Sequence, residues 1–358
     1  MKNILLLLIM TLSFGVQSQN TESYQQKALK FEEALLQKID QDGAGLSVII
    51  THKDQVIFEN YYGYANIEKK EKLNANHVLG IASMSKQFLG MATLFLVDEG
   101  NIDLDKDIKE YLPNLAIGDR KIKIRQLLSH TSGLPELTQN DEFMNNIATK
   151  HSVKEIIDIG LKGPYRSEVG ERYIYCNTGY TIATALIEQV SGMDFASYLK
   201  KKIFVPLQMS HAYSCDYNQD ADNAVQRYSP DSVGYKKAQV MHFSNLIGGG
   251  AIVTNVQDMS KWCMALLSGK NLPPNYQKIW EPNMLNSGES FSYGLGMGSS
   301  TFQNRTFYYH PGMGDGMNSV DLIFPEEEIS ITVIRNVFPP KLSSNDVAFL
   351  AAEYLFKE

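Results

Sequence analysis

The hydrophobic period of this chain changes twice along its length. Between Tyr24 and Ile39 the apolar residues Ala28, Phe31, Ala34, Leu35 and Ile39 recur at helical spacing, and Asp42-Gly43 ends the run. Leu46 to Thr51 and Val56 to Tyr61 are β-rich, and His52-Lys53-Asp54 between them reads as a hairpin turn. A strong helical run then opens at Ser83. It continues through Phe88, Met91, Ala92, Leu94 and Val97 and stops at Gly100. From there to about Gln257 the pattern is mostly helical, with long loops. Its clearest segments are Val153 to Leu161, Thr181 to Val190 and Phe195 to Ile203, followed by Asp258 to Leu267. Ser191-Gly192 stops the second segment, and the Asp194 carboxylate suits the N-cap of the third. Gly248-Gly249-Gly250 permits unusual backbone angles or close approach. The end of the chain returns to strands: Phe291 to Met297, Arg305 to Tyr309, Ser319 to Phe324 and Ile329 to Arg335. Asn345 to Phe356 closes the chain as an amphipathic helix.

Strands at both ends with helices between them predict an α/β (α+β) fold. An antiparallel sheet drawn from both chain ends is flanked by the terminal helices, and a mostly helical region is inserted. The expected division is a sheet domain of residues 22–83 and 256–358, a helical domain of residues 84–255, and an active site between them. No internal repeat or low-complexity stretch interrupts this order.

Composition narrows the function. The 358 residues are 44% hydrophobic and 20% charged, enough apolar material for a large core. The formal net charge of -7 and the lack of a basic run argue against a nucleic-acid partner. A small-molecule or peptide substrate is expected instead. Lys2 precedes an apolar run, Ile4 to Val16, broken only by Thr11, Ser13 and Gly15. With Val16-Gln17-Ser18 behind it, residues 1–18 read as an export signal cleaved after about Ser18. The run is shorter than the roughly 20 apolar residues a spanning helix needs. No stable membrane span is expected after cleavage, and the protein would be periplasmic or extracellular. A retained anchor is the other reading. Cys176, Cys215 and Cys263 are odd in number and show no C-x-x-C spacing, so small buried residues are expected. His52, His77, His151, His211 and His242 show no metal-ligand spacing, and neither metal nor cofactor is expected.

Three short motifs carry candidate chemistry. In Ile81-Ala82-Ser83-Met84-Ser85-Lys86, the i and i+3 positions share a helix face, so Lys86 can reach the Ser83 hydroxyl. A hydroxyl is a weak nucleophile, and a partly desolvated lysine can serve as its base. The helix start adds positive dipole near Ser83. Only Ser83, not Ser85, has this offset to Lys86. The bland alternative is a helix-capping serine with a surface lysine. In Tyr175-Cys176-Asn177, a tyrosine can share protons with a lysine, and an amide can hold both a lysine and a substrate carbonyl. Its alternative is a buried aromatic followed by a turn asparagine. In Tyr309-His310-Pro311-Gly312-Met313, Pro311 suits a strand edge and Gly312 lets a ligand approach the backbone. Ser129-His130 looks like half of a triad, and His130 is read as structural. No Gly-x-Ser-x-Gly elbow occurs, which argues against an α/β-hydrolase.

Together these motifs resemble the serine β-lactamase and penicillin-binding-protein superfamily. The closer likeness is to the class C β-lactamase-like group, with its DD-peptidases, D-amino-acid peptidases and esterases. It spans roughly Leu46 to Val333. Val97 to Leu104, Ile124 to Pro135, Asn177 to Tyr180 and Gly249 to Thr254 also carry it. The resemblance implies a β-lactamase-like fold and an acyl-enzyme on Ser83. Lys86 and Tyr175 would be the proton-transfer pair, and Asn177 would position Lys86 and the substrate amide. The backbone N–H groups of Ser83 and Met313 would form the oxyanion hole. His310 stands where many relatives carry the lysine of Lys-Thr-Gly, so it and Gly312 are substrate-side residues. A neutral imidazole holds a carboxylate less well than an ammonium does. The expected function is a serine hydrolase acting on an amide or ester, of D-alanyl-peptidase type. A β-lactamase, a carboxylesterase and a non-catalytic penicillin-binding module are the alternatives.

Overall fold

The computed structural model describes residues 22–214 and 223–357. The export-signal reading and Cys215 lie outside the described residues. A six-stranded antiparallel sheet forms the frame. Its strands are β1 (Leu46–His52), β2 (Gln55–Tyr62), β3 (Gly298–Phe302), β4 (Arg305–Gly314), β5 (Met317–Phe324) and β6 (Ile329–Arg335), in the order β3-β4-β5-β6-β1-β2. The two chain ends meet where β1 pairs with β6, Leu46 opposite Arg335 and His52 opposite Ile329.

Strand alternation sorts the side chains onto two faces. Leu46, Val48 and Ile50 of β1, Val320, Leu322 and Phe324 of β5, and Ile329, Ile331 and Val333 of β6 share one core. Against it pack Ala28, Phe31 and Leu35 of α1 (residues 22–36) and Val347, Ala348, Ala351 and Leu355 of the C-terminal helix. The other face presents Ile49, Ile323 and Ile334 to a second core, shared with the intervening helices. These are α2 (Ser85–Asp98), α3 (Val153–Gly160), α4 (Asn177–Ser191), α5 (Phe195–Leu199) and α6 (Val256–Ser268); the C-terminal helix is α7 (Ser344–Phe356). Both faces of the sheet are covered, so every position of β1, β5 and β6 is buried.

The helix α2 runs through the middle of the second core. Eleven of its 14 residues are buried, and Phe88 stacks on Trp262 of α6 with centroids 4.3 Å apart. A helix enclosed on all sides has no solvent face on which to float a charged residue. Lys86 is therefore buried by the element that carries it.

Several boundaries differ from the pattern reading. Phe291 to Met297 does not form one strand. Ser290–Phe291 forms a short pair, Tyr293 makes an isolated bridge to Gly298, and Leu295 and Met297 are buried in an irregular segment. The outer strand is β3 instead, whose half-buried Ser299 and exposed Ser300 and Thr301 carry no apolar signal. The helix from Phe195 continues past Leu199 as a π turn over Lys200–Phe204. The strand begun at Arg305 runs on to Gly314. Because β3 pairs only with Arg305 to Tyr309, His310 to Gly314 has β5 on one side and an open edge on the other. Pro311, which has no N–H, sits on that open stretch.

Candidate active site

Ser83 lies in a 3-10 turn, Ala82–Met84, immediately before α2. Ala82 holds φ at +46°, a conformation side-chain-bearing residues rarely adopt. Three tethers fix the turn. Ile81 N–H donates to Ile252 O at 3.1 Å, Ile252 N–H donates to Ser85 Oγ at 3.1 Å, and Ser319 Oγ donates to Ile81 O at 2.7 Å. Ser85 thus serves the backbone. Gly312 lies against the same turn: a Cβ there would stand 2.1 Å from Ile81 O. The close approach read for Gly312 is made by the protein's own backbone, which presses β4 against the nucleophile turn.

Lys86 is fully buried, and its Nζ reaches three oxygens: Ser83 Oγ at 3.2 Å, Asn177 Oδ1 at 2.9 Å and Gly249 O at 2.8 Å. Burial pushes its pKa down from 10.5 to about 7, with Glu136 pulling the other way. A neutral amine has two N–H groups and one lone pair. Asn177 Oδ1 and Gly249 O can only accept, so they take both hydrogens and leave the lone pair facing the Ser83 hydroxyl. Gly249 allows this approach, since a Cβ would stand 3.3 Å from both Lys86 Nζ and Asn177 Oδ1.

Asn177 is oriented in turn by Glu136, a residue the sequence reading passed over. The Glu136 carboxylate accepts Asn177 N–H at 2.7 Å and Asn177 Nδ2 at 2.8 Å, which turns Oδ1 toward the lysine. It also accepts from Thr138 N and Thr138 Oγ1. Glu136 follows directly on Pro135, and an acid closing an otherwise apolar loop was the available signal.

Tyr175 joins the same group. Its ring centroid lies 4.8 Å from Lys86 Nζ, and it shares a side-chain hydrogen bond with Ser83. Burial holds its phenol well above the ordinary tyrosine range. The neighbouring Cys176 N–H donates to His130 Nδ1 at 3.0 Å, and the His130 ring packs on Tyr175 at 4.2 Å. His130 therefore sets the position of the Tyr175-Cys176-Asn177 segment.

His310 belongs to a second chain of bonds. Its Nδ1 lies 2.7 Å from Pro311 O, a pure acceptor, so Nδ1 carries the hydrogen. Its Nε2 lies 3.1 Å from Tyr293 Oη, and His130 Nε2 lies 3.3 Å from the same oxygen. His130 Nδ1 already accepts from Cys176, so Nε2–H of His130 donates to Tyr293, and Tyr293 O–H donates to His310. Burial first, then Lys86, pushes the His310 pKa down to about 3 and the His130 pKa well below its ordinary value. Asp321, whose carboxylate accepts His310 N–H at 3.1 Å, is pushed up to about 6 by burial. Both ring nitrogens of His310 are spent, and the residue is 2% exposed. Nothing in this arrangement offers a substrate a cation.

Ser83 opens onto two hollows. One, of about 710 Å³, is lined by Tyr173, Tyr175, Phe291, Tyr293, Tyr309 and His310 among others. The second, of about 250 Å³, is faced by Phe143, Met241, Leu246, Ile247 and Met317. Ser83, Thr138, Asn177 and Met313 line both. The arrangement can do acyl transfer: a nucleophile at a helix start, a neutral base on it, and space on either side of it. Cys176 and Cys263 are free and buried. No cluster that could hold a metal occurs among the described residues, nor is any helix among them long and apolar enough to cross a membrane.

A family model described as Beta-lactamase matches residues 29–356. The chain belongs to the Beta-lactamase family. Penicillin-binding protein 4* of Bacillus subtilis (strain 168) is 26% identical over 272 residues, which is 70% of this chain and 58% of that protein. The chain thus spans less than two thirds of that relative's length. Among solved structures, an octameric penicillin-binding protein homologue from Pyrococcus abyssi superposes with a TM-score of 0.80 at 24% identity, over 91% of this chain and 76% of the other. The D-amino acid amidase from Ochrobactrum anthropi SV3, in complex with D-phenylalanine, superposes with a TM-score of 0.79 at 20% identity, over 94% and 99%. At these identities the structural likeness is one of β-lactamase-type fold. The mixed fold read from the strand and helix order agrees with it.

Proposed function

We propose that this member of the Beta-lactamase family is a serine hydrolase that cleaves an amide or ester through an acyl-enzyme on Ser83, with D-aminoacyl compounds as its first substrate class. The observation that carries the reading is the buried Lys86 amine, its two acceptors filled and its lone pair on Ser83 Oγ. The D-aminoacyl part is supported by the names of relatives of the same fold, a D-amino acid amidase and a D-stereospecific amidohydrolase. Export rests on residues 1–18 alone.

The chemistry follows from the bonds. Lys86 Nζ takes the Ser83 proton as Oγ attacks the carbonyl carbon. The carbonyl oxygen gains the negative charge, beside the Ser83 and Met313 backbone. When the tetrahedral species collapses, the bond to the leaving nitrogen or oxygen breaks. The proton on Lys86 passes to that atom, directly or through Tyr175. Water then repeats the sequence on the acyl-enzyme, giving up a proton to the same pair and releasing the acid. Asn177 keeps Lys86 aimed throughout.

One panel tests the reading: D-aminoacyl amides and anilides, a D-alanyl-D-alanine peptide, a chromogenic cephalosporin and short-chain esters, each run with Ser83→Ala. Turnover of the amides or esters that vanishes in Ser83→Ala is the expected result. Equal rates in the two proteins would sink the mechanism. Covalent labelling of Ser83 by a penicillin with no turnover of any substrate would make the protein a binding module.

A further inference from the structure

The lining of the cleft carries an inference about what it excludes and what it prefers. It rests on the acyl-enzyme reading above and names the substrate class of the same site. Among the described residues lining the larger hollow there is no Lys, Arg, Asp or Glu. The smaller hollow adds one charged residue, Asp315, which is an acid. Two arginines that touch lining residues of the cleft are already engaged. Arg166 Nη1 donates to Tyr175 O at 2.8 Å and faces Glu136 at 3.9 Å. Arg227 is packed on Met317 at 3.9 Å and over the Phe243 ring at 5.1 Å. Lys86 is a base only while neutral. A substrate carboxylate entering this cleft would lose hydration and gain no cationic partner.

The same lining is aromatic. Tyr173, Phe291, Tyr293 and Tyr309 converge on the larger hollow, with Tyr173 5.4 Å from Phe291 and 5.6 Å from Tyr293. Tyr173 is 40% exposed and Met313 at the rim is 58% exposed. Large apolar side chains left open at a cleft mouth mark a surface that gains by being covered. A ring seated there would bury roughly 150–250 Å² in edge or offset contact with its neighbours.

We infer that this site takes substrates with no carboxylate on either side of the scissile bond, with a flat aromatic group seated among Tyr173, Phe291, Tyr293 and Tyr309. Substrates ending in a free carboxylate are disfavoured, whether C-terminal D-alanyl peptides or penicillins.

Matched pairs test this on the full chain. D-phenylalanine amide against D-alanine amide places the ring on the acyl side. D-alanine anilide against D-alanine methylamide places it on the leaving side. D-alanyl-D-alanine against its C-terminal amide isolates the carboxylate. The aromatic member is expected to exceed its partner in kcat/KM by about tenfold or more in at least one of the first two pairs. The C-terminal amide is expected to exceed the free acid by about tenfold or more. Phe291→Ala should collapse the aromatic preference toward unity. A preference for the free acid, or no aromatic gain in either pair, overturns the inference. Labelling of Ser83 by a fluorophosphonate, absent in Ser83→Ala, reports separately on the acyl-enzyme. Labelling with no turnover of any carboxylate-free aromatic substrate overturns this inference alone, and absence of labelling overturns the reading beneath it.

Discussion

Two buried polar clusters pack against the Tyr175 ring. In one, Lys86 gives two hydrogens to Asn177 Oδ1 and Gly249 O and keeps a lone pair for Ser83. In the other, His130, Tyr293 and His310 pass hydrogens in one direction, and the last goes to Pro311 O. Both lie in low-dielectric surroundings that disfavour charge. They differ in bookkeeping of donors and acceptors. The histidine cluster has none to spare and is held in one protonation state. The lysine cluster has a single unspent acceptor, aimed at the residue that must lose a proton. Reactivity here comes from one deliberate vacancy beside a fully satisfied scaffold.

Removing the vacancy gives the largest effect. Lys86→Met is expected to lower kcat/KM by about a thousandfold or more. It should also change how stability depends on pH. The folded pKa is about 7 against 10.5 for an ordinary lysine, so between those values the unfolded chain binds the extra proton. Stability of the wild type therefore rises with pH across that window, by up to about 1.4 kcal/mol per unit from this group. The variant should lack this part of the slope. Urea midpoints at pH 7.5 and 9 for both proteins check it, and parallel slopes would mean that Lys86 is charged in the folded state. Activity of the wild type should rise through a single ionisation near 7. It should hold at least to pH 9, because the Tyr175 phenol stays protonated.

Loosening the lysine from outside gives the next effect. Glu136→Gln keeps one of the two oxygens that accept from Asn177 and puts a donor in place of the other. A misaimed amide leaves Lys86 off line, and kcat is expected to fall about ten- to a hundredfold. The same carboxylate stabilises the ammonium form of Lys86, so its loss should move the acid limb of the pH profile to lower pH. A purely structural role would lower the rate without moving the limb.

These residues differ in how openly the sequence announces them. Ser83, Lys86, Tyr175 and Asn177 are legible because helical spacing and adjacency put their chemistry within one or two turns. The strand and helix order is legible because β1, β5 and β6 are short runs rich in apolar and β-branched residues, set off from the segments of helical period. Glu136 and Tyr293 are not. Each enters from a loop whose place is decided by what it packs on, and no local period encodes that. The edge strand β3 is missed for the opposite reason: an exposed edge needs no apolar alternation, so Ser299 to Thr301 look like a loop. Leu295 and Met297 mislead because burial in an irregular segment leaves the same composition as burial in a strand. His130 was read as structural, and it is structural in a specific way. It holds the backbone of Cys176 between two residues of the site.

The smallest change tests the closed cluster. Tyr293→Phe deletes one oxygen and keeps the ring. His310 Nε2 then loses the donor that favours its neutral form, and His130 Nε2–H loses its acceptor. Burial and Lys86, which hold the His310 pKa at about 3, both remain, so losing this donor should raise it by only part of that shift. At pH 8 both histidines remain neutral, and kcat/KM should stay within about tenfold of wild type, the scale of one or two lost hydrogen bonds. At acid pH a second proton then enters beside Lys86 sooner than in the wild type, so the low-pH end of the acid limb should steepen beyond the single ionisation of the wild type. Histidine nitrogen NMR gives the direct reading. Wild type should show His310 with its hydrogen on Nδ1 and His130 with its hydrogen on Nε2, and His310 of the variant should titrate at the higher pH. Two histidines of the same tautomer in wild type, or an unchanged limb in Tyr293→Phe, would mean that the phenol fills space and does not set the protons.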